Sequence, residues 1–160
     1  MINQSRLIFI HGLEGTSQGS KATLLRNLFP GMLIPDFQGS LSERMQALEK
    51  ILGRKSGWKI IGSSYGGLMA ALFASQHPLQ ISRLVLLAPA LILPEFADSP
   101  PVPVTIPTII YHGSLDALIP VASVQQLARQ VFTNLTFHVV DDDHGLYKTV
   151  HQIDWQSLLE

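Results

Sequence analysis

The stretch Lys59-Ile60-Ile61-Gly62-Ser63-Ser64-Tyr65-Gly66-Gly67 decides the reading of this chain. An apolar, strand-like run enters a Gly-x-Ser-x-Gly pentad, and the helix-like run Leu68-Met69-Ala70-Ala71-Leu72-Phe73-Ala74 leaves it. A strand that reverses into a helix within so tight a turn leaves the residue at the tip, Ser64, strained in its backbone and with its hydroxyl exposed. Gly62 and Gly66 remove Cβ atoms where strand and helix approach each other. The helix start turns free N–H groups toward the tip, which suits a developing negative charge. Ser63 has the wrong register, because Ile61 and Tyr65 would flank it where glycines are needed. Taken alone, the pentad also fits a plain strand–turn–helix connection.

Two later segments supply an acid and a base. Pro107-Thr108-Ile109-Ile110-Tyr111-His112-Gly113-Ser114-Leu115-Asp116 reads as a strand followed by a turn that carries a carboxylate. Leu135-Thr136-Phe137-His138-Val139-Val140 reads as another strand, and His144 lies in the loop just beyond it. Both residues fall after the C-terminal ends of strands, where open parallel sheets place their sites. The chain order of nucleophile, acid and base completes the pattern. A serine hydroxyl is a poor nucleophile until a base takes its proton. A neutral imidazole can take it and later protonate a leaving group, and a carboxylate on its other nitrogen fixes the tautomer. The expected catalytic residues are therefore Ser64, His144 and Asp116.

Each has a plainer reading beside it. Asp116 could cap a helix beginning near Pro120, and His144 could be a surface histidine. Asp141, Asp142 and Asp143 are rival acids. As sequence neighbours of His144 they are poorly placed to bond its ring, and one of them is expected to cap the last helix. His77, His112, His138 and His151 read as ordinary strand-end, helix-end or surface residues. No histidine has metal-ligand spacing and the chain has no cysteine, so no metal and no cofactor are expected.

Near the N-terminus, Leu7-Ile8-Phe9-Ile10-His11-Gly12-Leu13-Glu14-Gly15-Thr16-Ser17 reads as a buried strand running into a His-Gly turn and a loop of small residues. With the pentad and the acid and base that follow it, this stretch resembles the α/β-hydrolase superfamily. The resemblance runs from about Arg6 to His144. It implies that the Leu13 N–H forms half of an oxyanion hole and the Tyr65 N–H the other half, with His11 bracing the loop. The run from His11 to Lys21 also looks like small YqiA-type esterases, in which His-Gly precedes a Ser-rich stretch and a lysine. Ser-Tyr-Gly-Gly is similar to prolyl-oligopeptidase-like enzymes, but their large extra domain has no room here. The resemblance implies a compact, lidless serine hydrolase acting on a carboxylic ester or thioester, and the apolar neighbours Leu13, Tyr65, Leu115, Leu118, Ile119 and Leu146 lead to the expectation of an uncharged, small-to-medium acyl group. The triad equally allows amide or carbon–carbon bond cleavage, and the same shape could serve a non-catalytic small-molecule receptor.

At 160 residues the chain is expected to form one domain, residues 1–160. Alternating strands and helices predict an α/β three-layer sandwich around a mostly parallel sheet of about six strands. The expected strands are 7–10, 32–34, 59–61, 83–87, 108–111 and 136–140. The expected helices are 20–28, 41–52, 66–76, 121–132 and 147–159. Compared with the eight-stranded sheet of larger α/β-hydrolases, the first two strands are expected to be absent. Residues 91–107 carry five of the ten prolines, which excludes a long helix or central strand there. This segment stands in place of a lid. It is either a stiff crossing loop or a minimal cap, with Leu91 and Phe96 walling an acyl pocket alongside Ile92 and Leu93. Leu118 and Leu146 are further expected substrate contacts. The net charge of −1 offers no broad basic surface for nucleic acid. The 7–10 run is too short for a signal peptide or membrane span, so the expected compartment is the cytoplasm.

Overall fold

The computed structural model describes residues 1–160. Five strands form one sheet in the order β1 (Leu7–Ile10), β2 (Trp58–Ser63), β3 (Ile81–Leu87), β4 (Thr108–Gly113) and β5 (Leu135–Val140). All four pairings are parallel. Seven helices accompany them: α1 (Ser20–Leu28), α2 (Leu41–Leu52), α3 (Tyr65–Gln76), α4 (Pro94–Ala97), α5 (Val121–Val131), α6 (Tyr147–Gln152) and α7 (Trp155–Leu159). This is an α/β three-layer sandwich around a parallel sheet.

A parallel sheet covered on both faces needs apolar residues on both sides of each strand. Hence β1 is Leu-Ile-Phe-Ile, with every residue buried. Successive residues feed opposite cores. Ile8, Ile60, Leu84 and Ile110 pack on α2, α3 and α5 through Leu48, Leu68 and Val124. Leu7, Ile61 and Val85 pack on α1, α6 and α7 through Leu25, Val150 and Trp155. Each such side chain contributes about 1.5–3 kcal/mol on burial. The edge strand β5 is only partly covered, and its polar residues Thr136 and His138 lie exposed.

The sheet has five strands rather than about six. Residues 32–34 make one isolated parallel bridge, Leu33 to Ile8, closed by Phe9 N–H to Leu33 O at 3.0 Å and Leu33 N–H to Leu7 O at 2.9 Å. Pro35 follows immediately and has no N–H to extend the ladder. The bridge still matters, because it lies on the outer side of β1 while β2 lies on the inner side. The strand order therefore reverses at β1, and the crevice position where such sheets hold ligands lies beyond the C-terminal ends of β1 and β2.

The expected helix over 147–159 is two helices. Ile153 is extended, and the Asp154 side chain accepts the Ser157 N–H at 3.1 Å, starting α7 afresh. In the Pro-rich segment, Pro94 opens α4, a position where its missing N–H costs nothing. Val104 then bridges to Phe132. No helix is long and apolar enough to cross a membrane.

Candidate active site

The β2–α3 turn is as tight as its letters require. Ser64 has φ 55° and ψ −114°, a conformation that costs a non-glycine residue about 1–3 kcal/mol. Its surroundings hold it there: Ser64 N–H donates to Leu87 O at 2.9 Å, and its carbonyl accepts from Gly67 and Ala90 N–H, each at 3.0 Å. A Cβ on Gly66 would collide with the carbonyl oxygens of Ile10 and His11, and one on Gly62 with that of Gly66. Glycine at both places lets α3 lie against β1 and β2 and aims its first turn at the crevice.

Three residues remote in sequence meet here. Ser64 Oγ lies 3.0 Å from His144 Nε2, and His144 Nδ1 lies 2.7 Å from Asp116 Oδ2. Asp116 Oδ1 accepts the N–H groups of Leu118 at 2.9 Å and Ile119 at 2.8 Å. The carboxylate is fully covered, whereas His144 keeps 23% of its side chain exposed. Burial pushes the Asp116 carboxyl up, but the Ile119 N–H, His144 and the Leu118 N–H together outweigh it and hold it below the usual carboxylate range. A charged Asp116 requires Nδ1–H on His144, which leaves Nε2 free to accept from the serine hydroxyl.

The rival acids are engaged elsewhere. Asp142 accepts from Thr149 N–H at 2.9 Å and Thr149 Oγ1 at 2.8 Å in the first turn of α6, as a cap would. Asp143 accepts the Gly145 N–H at 3.0 Å. Asp141 reaches only Lys148, at 3.9 Å.

The loop after β1 passes directly beside the serine. A Cβ built on Gly12 would stand 3.4 Å from Ser64 Cβ and 4.0 Å from its Oγ. The N–H groups of Leu13 and Tyr65 donate to no group of the protein. His11 is buried, its Nε2 accepting the Phe37 N–H at 2.9 Å and its Nδ1 donating to Gly12 O at 2.7 Å. Both bonds fix the loop, in keeping with a bracing role.

The expected substrate contacts divide. Leu118 is 71% exposed and Leu13 is 54% exposed, so both present surface to solvent. Leu91, Phe96 and Leu146 have none. Leu91 and Phe96 belong to the α3 core, with Phe96 stacked at 6.4 Å from Phe132, and Leu146 belongs to the opposite core. They wall no open pocket, because for an apolar side chain just off a strand end the core is the nearest apolar surface.

His112, which in sequence reads as an ordinary strand-end residue, lies against Asp116. His112 is fully buried, with Nε2 2.8 Å from Ile119 O and 3.1 Å from Asp116 Oδ2, and its Nδ1 has no partner. Burial pushes its pKa down against the pull of Ile119 O and Asp116. Its signal was present in the alternation of β4, where Thr108, Ile110 and His112 all point inward.

A family model described as alpha/beta hydrolase fold matches residues 16–104. Among solved structures, alpha/beta hydrolase domain-containing protein 10 from mouse superposes with a TM-score of 0.77 at 17% identity, over 91% of this chain and 85% of its own. A protein from Xanthomonas campestris pv. campestris, described as a hydrolase of the alpha/beta superfamily, gives 0.73 at 26% identity over 91% and 90%. Est1E from Butyrivibrio proteoclasticus gives 0.71 at 18% identity over 91% and 82%. No curated protein matches the chain.

Proposed function

Since the chain belongs to the α/β-hydrolase fold family, we propose that it is a serine hydrolase that cleaves a small carboxylic ester or thioester through an acyl-enzyme. The observation that carries this reading is the continuous relay of Ser64, His144 and Asp116, with contacts of 3.0 and 2.7 Å, beside two unpartnered backbone N–H groups.

In the proposed reaction Ser64 Oγ attacks the carbonyl carbon and its proton passes to His144 Nε2. The carbonyl oxygen becomes an oxyanion, held by the N–H groups of Leu13 and Tyr65. Removing one such donor typically costs about 100- to 1,000-fold in turnover. His144 then gives its proton to the departing alcohol or thiol as the carbon–heteroatom bond breaks. A water molecule, deprotonated by the same Nε2, attacks the acyl-enzyme, and the returning proton restores Ser64. Asp116 keeps the imidazole in the required tautomer and stabilises the imidazolium at both stages.

The test is burst kinetics with p-nitrophenyl acetate, combined with rapid-quench mass analysis. An initial burst of p-nitrophenol with one acetyl group on the Ser64 peptide supports the proposal. Steady hydrolysis with no adduct, or equal turnover in Ser64→Ala, overturns it.

A further inference from the structure

A buried cation without a counter-ion lies beside this site. Arg44 stands in the first turn of α2 and is 5% exposed. Of its guanidinium donors only Nε is used, to Gly39 O at 3.1 Å. Nη1 is buried with no partner, and Arg44 forms no ion pair. Its guanidinium lies over the ring of Tyr65, 5.4 Å from the centroid. Leaving a desolvated charge unpaired is costly, and buried unsatisfied donors are rare enough in native proteins that each calls for an explanation.

The surroundings explain it by what they leave open. Arg44 lines a cavity of about 600 Å³ together with Leu13, Phe37 and Gln38, and Leu13 carries one of the two free N–H groups. Arg44 also occupies the positive end of a helix, where an acidic residue would be favoured. The first-turn acid, Glu43, is turned back onto the Ser40 N–H instead. The one carboxylate lining the cavity, Asp36, is occupied by Ser17 N–H and Oγ, at 2.6 and 2.9 Å. The Nη groups of Arg44 have no partner in the protein, and a planar guanidinium suits a carboxylate or phosphate.

We propose that Arg44 binds a small oxyanion carried on the substrate, a carboxylate or a phosphate, seated in the cavity beside Leu13. The hydrolase would then favour esters bearing a negative charge near the scissile carbonyl. This rests on the serine-hydrolase reading for turnover, while the binding step stands independently of it.

The kinetic test compares mono-p-nitrophenyl glutarate with its methyl-capped neutral counterpart in the wild type, Arg44→Met and Arg44→Lys. Taking the ratio of kcat/KM values cancels any general damage, including the loss of the contact with Tyr65. The wild type should favour the charged ester by about tenfold to a hundredfold. Arg44→Met should abolish the preference through KM, and Arg44→Lys should keep part of it. A wild type without preference, or an unchanged ratio in Arg44→Met, overturns the proposal. Titrating wild-type protein with glutarate, and separately with inorganic phosphate, while following the Arg44 side-chain ¹⁵N signals covers the case in which Arg44→Met does not fold or no ester turns over. A saturable shift with either anion supports the site, and the tighter one identifies the source. No shift with either removes it.

Discussion

Replacing Asp116 by Asn separates two accounts of what the buried carboxylate does. Asp116 Oδ1 accepts two backbone N–H groups at 2.9 and 2.8 Å, so the amide oxygen of Asn must take that position. The NH₂ group then faces His144 Nδ1, which stands 2.7 Å from Oδ2. Two donors cannot face each other at that distance, so His144 must carry its proton on Nε2. It can then no longer accept the proton of Ser64, 3.0 Å away. Were the loss only that of one charge-assisted hydrogen bond, about 1.5–3 kcal/mol, turnover would fall by about 10- to 150-fold. A wrong tautomer costs about 10,000-fold, or about 5.4 kcal/mol at 1.36 kcal/mol per decade. The assay is kcat/KM for p-nitrophenyl acetate, with circular dichroism to establish folding and Asp142→Asn as control. A loss near 10,000-fold with Asp142→Asn unaffected is expected. A loss below about tenfold, or an inactive Asp142→Asn, would refute the assignment of the acid.

Other consequences can be measured separately. Phe96→Ala should cost about 3–5 kcal/mol in urea denaturation, with kcat of the folded fraction nearly unchanged; a selective rise in KM for long acyl chains would instead return Phe96 to the substrate pocket. Gly66→Ala should lose at least about 1–3 kcal/mol, since its Cβ meets the Ile10 and His11 carbonyls; wild-type stability in that variant would mean the close approach of α3 to β1 is wrong. Burial lowers the pKa of His112, so between its folded value and about 6.5 the unfolded chain binds the extra proton and stability falls as pH drops. His112→Gln should flatten that part of the stability–pH curve, and an unchanged slope would contradict the burial argument. Asp116 is held below the usual carboxylate range, so its contribution is present above about pH 3.9 and is lost as pH falls through the lower folded value; the wild type should lose more stability over that acid range than Asp116→Asn does.

The residues brought to one place are those whose positions follow from strand ends. Ser64, Asp116 and His144 each lie just beyond an apolar run, and a parallel sheet gathers such ends at one edge whatever the loops do. Directions of individual side chains were less legible. Leu91, Phe96 and Leu146 read as apolar loop residues, and hydrophobicity alone does not say whether a loop residue faces the core or a cavity. The reverse error concerns polar residues on buried stripes. Arg44 stands four and eight residues before Leu48 and Leu52, all three buried on one face of α2, so the helical period could have placed it inward. His112 follows the same logic with the period of a strand. The missing sixth strand and the divided last helix both turn on single residues, Pro35 removing a donor and Asp154 supplying a cap.

The most direct test of the central claim is labelling with a fluorophosphonate, read by intact mass and peptide mapping on the wild type, Ser64→Ala and His144→Ala. Rapid addition of one label at Ser64 in the wild type, absent from Ser64→Ala and greatly slowed in His144→Ala, is the predicted result. Folded wild-type protein that takes no label, or labels equally fast without His144, would contradict an activated serine at the end of β2.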